Sequence, residues 1–187
     1  MNLANIVSII RIALVPVVVI LYFAEFSGHY LWAAAVFALA SFSDWLDGYL
    51  ARKLNQTTEF GAFLDPLADK LLVSLVLVLL VANYSTVWFI LPVALIIGRE
   101  ILVSALREWM ASQGRRGVVA VVYAGKVKTT VQMIAIIILL GSDPAGPAIY
   151  WQVGYVLIYL AAVLSMYSMY FYFKAAWSDL ASKEEGT

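Results

Sequence analysis

Six long apolar segments dominate this chain and restrict it to folds that a lipid bilayer accepts. A helix that crosses a bilayer needs about 20 apolar residues, and short connections carrying turn residues separate the six segments. The segments are residues 5–26, 30–52, 62–82, 86–110, 125–141 and 148–173. We therefore predict an all-α integral membrane bundle of six transmembrane helices, formed by residues 1–187 as a single domain.

The composition excludes several classes of protein. Of the 187 residues, 64% are hydrophobic and 13% are charged. In soluble domains, about 45–50% of the residues are hydrophobic and about 25% are charged. The 12 basic and 12 acidic residues cancel, so no bulk field attracts nucleic acid. The chain has no cysteine, and its one histidine, His29, is expected to be inert. Residues 1–10 lack a basic start, so we expect a retained first helix rather than a signal peptide.

The basic residues favour one orientation in the membrane. The connections after the first, third and fifth segments contain no Lys or Arg, whereas the other two connections and the C-terminal tail do. Both termini are therefore expected in the cytoplasm. The basic residues inside the segments lie in the same half: Arg11, Lys70, Arg99, Arg107, Lys126 and Lys128. Arg99 is deep enough to need a partner, and because Glu100 is expected to point elsewhere, another helix or a ligand must provide it.

Four aspartates interrupt the second and third segments, where an unpaired acid costs about 2.5–3.5 kcal/mol at mid-bilayer. Asp44 and Asp47 are three residues apart, and Asp65 and Asp69 are four apart, so each pair shares one helix face. A short connection makes the two helices antiparallel neighbours. The four carboxylates can therefore meet at one depth.

Oxygen ligands without histidine or cysteine select hard cations such as Mg²⁺, Mn²⁺ or Ca²⁺. Four carboxylates suit two such ions, and paired metals recur in displacements at phosphorus. Gly48 and Ala51 lie on the face of Asp44 and Asp47, and Arg52 can clamp a phosphate. In the alternative interpretation, the acids form ion pairs with Lys70, Arg52 or Arg99 and only hold the bundle together.

The whole pattern, D-x-x-D-G-x-x-A-R-x8-G-x-x-x-D-x-x-x-D over residues 44–69, resembles the signature of the CDP-alcohol phosphotransferases. The resemblance implies a six-helix membrane enzyme, usually a homodimer, that moves a phosphatidyl or similar group from a CDP-linked donor to an alcohol and releases CMP. It also implies two Mg²⁺ or Mn²⁺ ions held by Asp44, Asp47, Asp65 and Asp69. Asp69 would in addition be the general base, and Gly48, Ala51 and Arg52 would border the cytidine and its pyrophosphate.

Beyond the motif, the chain resembles members of this family that use CDP-diacylglycerol and glycerol 3-phosphate. The similar stretches include residues 5–16, 64–70, 99–107 and 125–133. The resemblance implies that Asn5, Ser8 and Arg11 also contact CDP-diacylglycerol. A dianionic acceptor needs cations, and we expect these from Arg99, Arg107, Lys126 and Lys128. Positive-inside topology alone would also account for any one of these four.

Other functions fit parts of the sequence. Inositol phosphate, serine or phosphatidylglycerol as acceptor would leave the motif unchanged. A divalent-cation transporter also uses intramembrane acids, but it needs acids towards the outer side, where only Glu25 and Asp143 lie, in connections. A membrane scaffold leaves the aspartates unexplained. We expect an enzyme of the inner (cytoplasmic) membrane with its active site facing the cytoplasm.

Overall fold

The described part of the chain folds into six helices. The computed structural model describes residues 3–54, 59–114, 123–144 and 146–184, except for the side chains of residues 3–6, 44–54, 59–63, 65, 123, 124, 126 and 179–184. The helices are α1 (Leu3–Tyr22), α2 (His29–Leu54), α3 (Glu59–Asn83), α4 (Val87–Ser112), α5 (Tyr123–Gly141) and α6 (Ala148–Glu184). No strand occurs within the described ranges, and the predicted all-α class is confirmed.

The first helix ends four residues earlier than predicted. Gly28 has a φ of 83°, which glycine adopts without steric cost, and the chain turns there before α2 begins. The His29 ring donates from Nδ1 to the carbonyl oxygen of Tyr22 at 2.9 Å. This carbonyl is among the last of α1, so it has no partner further along the helix. His29 therefore caps α1, a structural role that the sequence did not indicate.

The last helix extends beyond its predicted end at residue 173. Residues 174–184 contain neither Pro nor Gly and include good helix formers, so nothing local stops the helix. With 37 residues, α6 is about 55 Å long at 1.5 Å per residue. A hydrocarbon core is about 30 Å thick, so a membrane-spanning α6 must continue past it.

Contacts between helices establish their directions. Along α4 and α6, Trp88 contacts Tyr159 and Arg99 contacts Ser168, so these two helices run parallel. Along α5 and α6, Gly125 lies near Tyr172 and Gly154 near Leu139, so these two run antiparallel. Helix α1 packs against both α2 and α3, which contact each other much less. The aspartate-bearing helices are therefore joined mainly through α1.

The bundle has two chemically different ends. The tyrosine end, defined by Tyr22, Tyr30, Tyr84 and Tyr155, is held together by neutral groups. Asn83 donates to the Tyr22 hydroxyl at 2.8 Å, and the hydroxyls of Thr86 and Tyr155 lie 2.6 Å apart. Burial, with smaller contributions from Tyr30, Asp143 and Tyr155, raises the pKa of Tyr84 to about 12. Its hydroxyl therefore stays neutral near pH 7. The charged end, defined by Asp69, Arg99, Arg107 and Lys128, lies opposite.

Three helical segments in the described part are long and apolar enough to cross a membrane: Pro66–Asn83, Val87–Ser112 and Ala148–Ser178. The other three helices contribute shorter apolar stretches, Val7–Tyr22, His29–Ser43 and Val127–Gly141. Large apolar side chains, such as Ile20, Leu39 and Val156, are exposed on the outside of the bundle, as a lipid environment allows.

A proline inside α4 creates a hydrogen-bond acceptor that α6 uses. Pro92 has no N–H, so the carbonyl of Trp88, four residues earlier, loses its helical partner. The Tyr159 hydroxyl donates to this carbonyl at 2.6 Å. The bond replaces the missing helical partner of this carbonyl and links α4 to α6.

Helices α5 and α6 approach closely at Gly154. A Cβ atom at this position would lie 2.5 Å from Cγ of Leu139, which is fully buried. The absence of a side chain therefore sets the α5–α6 spacing. Gly98 on α4 differs, because a Cβ there would meet nothing within 4 Å.

We expect Gly154→Ala to lower the free energy of unfolding by about 1–3 kcal/mol, because Leu139 cannot move without disturbing the core. Thermal unfolding of the purified protein in detergent should show a Tm lower by roughly 2–10 °C. The matched variant Gly98→Ala should leave the Tm unchanged or raise it slightly. Equal Tm values for the two variants would contradict the packing role of Gly154.

Candidate functional site

A cleft at the charged end opens between α3, α4, α5 and α6. Its volume is about 230 Å³. Its described lining residues are Pro66, Asp69, Lys70, Arg99, Glu100, Val103, Ser104, Arg107, Gly125, Thr129 and Tyr172. The cleft thus brings three predicted site residues, Asp69, Arg99 and Arg107, to one place.

Arg99 is buried and has several partners. Its Nη1 lies 3.3 Å from Oε1 of Glu100, and its Nη2 donates to Oγ of Ser168 at 2.7 Å. The guanidinium also lies 5.8 Å from the centre of the Tyr172 ring. The expectation that Glu100 points away from Arg99 is therefore wrong. Although the two residues are adjacent in sequence, both side chains are long enough to curve towards the same cleft.

Glu100 also binds Lys128 of α5. The Lys128 ammonium donates to Oε1, the same oxygen that faces Arg99. The Lys128 side chain is only 2% exposed, so it needs an anionic partner at this depth, and Glu100, at 23% exposure, provides one. One carboxylate oxygen of Glu100 thus links Arg99 of α4 to Lys128 of α5. Arg99 also donates to Ser168, which connects this pair to α6.

A smaller cavity of about 50 Å³ adjoins the cleft. The two cavities share Asp69, Lys70, Glu100 and Thr129. The smaller one is further lined by Val73, Ser74, Lys128, Gln132 and Met133. Asp69 therefore lies at the junction of the two spaces, and its carboxylate interacts electrostatically with Lys128.

The described charges around these cavities do not balance. Lys70, Arg99, Arg107 and Lys128 are cations, whereas Asp69 and Glu100 are the anions. Arg107 in the cleft is exposed, whereas Arg99 in the cleft and Lys128 in the smaller cavity are buried. An excess of positive charge in a confined space favours an anionic ligand, and a phosphate dianion is opposite in sign and equal in magnitude to the excess of these described charges.

Several predicted site residues lie elsewhere or outside the described part. Ser8 and Arg11 of α1 are buried, but neither lines the two cavities. The side chains of the remaining candidates lie outside the described residues: Asn5, Asp44, Asp47, Gly48, Ala51, Arg52, Asp65 and Lys126. Their helices are described, and α1 packs against both α2 and α3. Their roles remain predictions.

The four aspartates have the donor chemistry that a hard divalent cation needs. Residues 44 and 47 lie in α2, and residues 65 and 69 lie in α3. Helical backbone at these spacings keeps each pair on one face, as predicted. Among the side chains that the structure describes, no group of three or more acids or histidines forms a complete metal site.

Sequence reasoning missed partners that come from distant helices. Tyr172 and Ser168 of α6 contact Arg99 of α4. For Tyr172 and Ser168, no local pattern reveals a pairing with a residue about 70 positions away. Glu100 did carry a signal, because an acid inside an apolar segment needs a cation nearby.

Comparison with known proteins identifies close similarity over nearly the whole chain. A family model described as CDP-alcohol phosphatidyltransferase matches residues 1–167. Curated relatives named CDP-diacylglycerol–glycerol-3-phosphate 3-phosphatidyltransferase include one from Pseudomonas fluorescens, 48% identical over 96% of this chain and 92% of its own length. Those from Salmonella choleraesuis and Shigella flexneri are 45% and 46% identical, each over 96% of this chain and 97% of the relative.

We expect Glu100→Gln to lower the free energy of unfolding by about 1.5–3 kcal/mol, because it removes the charge that compensates buried Lys128. The Tm in detergent should fall by roughly 3–10 °C. The control is Glu108→Gln, which changes an exposed acid on the same helix and should have little effect.

Adding Lys128→Met to Glu100→Gln should restore part of the lost stability, because the uncompensated cation is then removed as well. The loss of stability caused by Lys128→Met is also measured in the wild-type protein. If Lys128→Met causes the same loss in the Glu100→Gln background, the two residues are not coupled.

Proposed function

We propose, because this chain belongs to the CDP-alcohol phosphatidyltransferase family, that it transfers the phosphatidyl group of CDP-diacylglycerol to the 1-hydroxyl of sn-glycerol 3-phosphate. The products are phosphatidylglycerophosphate and CMP. The names of relatives that cover 96% of the chain support this choice of donor and acceptor.

The single structural observation that carries the proposal is the position of Asp69 in a cleft rich in cations. Arg107 and Arg99 line the same cleft as Asp69, and Lys128 lies beside it in the adjoining cavity. Glycerol 3-phosphate has a dianionic phosphate at one end and a primary hydroxyl at the other. The cations are suited to the first group and Asp69 to the second.

In the reaction that we propose, Arg107 binds the acceptor phosphate at the open side of the cleft. Arg99, held by Ser168 and Glu100, supplies further positive potential from behind. Asp69 accepts the proton of the 1-hydroxyl as that oxygen attacks the phosphorus bonded to diacylglycerol. The bond from this phosphorus to the CMP oxygen breaks, and CMP leaves as the anion.

The donor is proposed to bind on the side of α1, α2 and the start of α3. Asn5, Ser8, Arg11, Gly48, Ala51 and Arg52 would contact CDP-diacylglycerol. Asp44, Asp47, Asp65 and Asp69 would hold two divalent cations, Mg²⁺ or Mn²⁺, which when bound neutralise the pyrophosphate. Burial of Ser8 and Arg11 on a helix that packs against both aspartate-bearing helices supports this placement.

We also propose that all six helices cross the inner membrane and that both termini and the active site face the cytoplasm. The location of the cleft at the charged end supports this orientation, because basic residues are retained on the cytoplasmic side. Among the described side chains, the acids at the tyrosine end are Glu25 and Asp143, and both are exposed. An ion pathway through the bundle would need acids between the two ends, so this distribution favours an enzyme over a transporter.

We further propose that the protein is a homodimer and that each subunit is a single domain.

The acceptor can be tested with purified protein, CDP-diacylglycerol and Mg²⁺. Glycerol 3-phosphate should give CMP and phosphatidylglycerophosphate, because its phosphate matches the cation excess of the cleft. Serine, inositol phosphate and phosphatidylglycerol, supplied in parallel, should give less than about one hundredth of that rate. CMP release with one of these but not with glycerol 3-phosphate would replace the acceptor, and no CMP release at all would refute the enzymatic proposal.

We expect Asp69→Asn to reduce kcat by at least about 10²- to 10⁴-fold, because the amide cannot accept the hydroxyl proton. The Tm should change little, which separates a chemical defect from misfolding. Asp143→Asn, at the opposite end of the bundle, is the matched control and should retain normal turnover. Near-normal turnover of Asp69→Asn would rule out Asp69 as the base.

A further inference from the structure

Gln132 on α5 is a buried polar side chain with an unused acceptor. It is 3% exposed, and its Oε1 has no hydrogen-bond partner within the described part of the protein. A buried amide oxygen without a donor costs about 1–3 kcal/mol. Such a group indicates that a donor arrives from elsewhere, as water or as part of a ligand.

The position of Gln132 limits what that donor can be. The side chain lines the smaller cavity, which also contains Asp69, Lys128 and Thr129. At about 50 Å³, this cavity has room for a hydroxyl-bearing carbon or one or two waters, but not for a whole acceptor molecule. The larger cleft, with Arg107, adjoins it through Asp69.

We propose that Gln132 is the residue that recognises the 2-hydroxyl of the acceptor, an inference that rests on the proposed function. In glycerol 3-phosphate, the 2-hydroxyl lies on the carbon between the reacting 1-hydroxyl and the phosphate-bearing carbon. With the phosphate at Arg107 and the 1-hydroxyl at Asp69, the smaller cavity next to Asp69 receives the remaining hydroxyl. The 2-hydroxyl then donates to Oε1 of Gln132.

This arrangement divides recognition of the acceptor between two spaces. The cleft selects the phosphate by charge, and the smaller cavity selects the hydroxyl by a hydrogen bond. An acceptor without a 2-hydroxyl would still fill the cleft but would leave Oε1 of Gln132 buried and unpaired. Sites that leave a buried polar group unpaired discriminate strongly against such analogues.

The test compares sn-glycerol 3-phosphate with 3-hydroxypropyl phosphate, which has the same phosphate and primary hydroxyl but no 2-hydroxyl. CMP release by the wild-type enzyme gives kcat/KM for each acceptor. The wild type should prefer glycerol 3-phosphate by about 10- to 100-fold. A ratio near one would overturn the inference while leaving the proposed function intact. No CMP release with glycerol 3-phosphate would instead count against the proposed function itself.

The same ratio is then measured for Gln132→Met, which keeps the length of the side chain but removes the acceptor. The preference for glycerol 3-phosphate should fall to less than about threefold, whereas a purely structural role would lower both rates and preserve the ratio. Gln132→Glu retains acceptor oxygens and should keep the preference. Gln152→Met, an exposed position on α6, is the matched control and should keep the wild-type ratio. A wild-type ratio in Gln132→Met would overturn the assignment of the 2-hydroxyl to Gln132.

Discussion

One carboxylate oxygen, Oε1 of Glu100, holds the charged end of this protein together. It accepts from the Lys128 ammonium and lies 3.3 Å from the Arg99 guanidinium, so it links α4 to α5. Arg99 extends the link to α6 through Ser168. A cation buried among membrane helices is costly without such a partner. Glu100 therefore compensates the charge of two buried cations, Arg99 and Lys128.

The remainder of the bundle depends on packing and on neutral hydrogen bonds. Gly154 lets α6 approach Leu139 of α5, and Tyr159 satisfies the carbonyl that Pro92 leaves without a helical donor. The tyrosine end has hydroxyl and amide partners and contributes no buried acid among the described side chains. Among the described side chains, the tyrosine end thus has no buried charge, because its acids Glu25 and Asp143 are exposed, and it needs no buried counter-charge.

This separation agrees with the chemistry of a phosphatidyl transfer. The donor carries a pyrophosphate and two acyl chains, and the acceptor is small and anionic. A site at one end of a membrane bundle can receive the acyl chains from the lipid and the acceptor from water. In the proposed reaction, the cation excess around the cleft binds the phosphate, and Asp69, which lines both the cleft and the smaller cavity, receives the proton.

Much of the fold and of the candidate site could be predicted from the sequence, because the sequence patterns that indicate them are local. Apolar runs predicted six helices, and a fixed spacing put each pair of aspartates on one helix face; both need only the geometry of a single helix. The motif also pointed to the family to which the chain belongs. The predicted end of α1 lies four residues beyond the observed end, because the His29 ring caps the helix at Tyr22 across a turn. The predicted α6 is shorter than the observed helix.

Three features depend on how helices far apart in sequence pack together: the pairing of Glu100 with Lys128, the contact of Tyr172 with Arg99 and the unpaired amide oxygen of Gln132. No periodicity within one helix contains that information. Local sequence patterns are enough to predict the helices and the type of chemistry. Which charges pair depends on distances between helices, and these are known only from the folded protein.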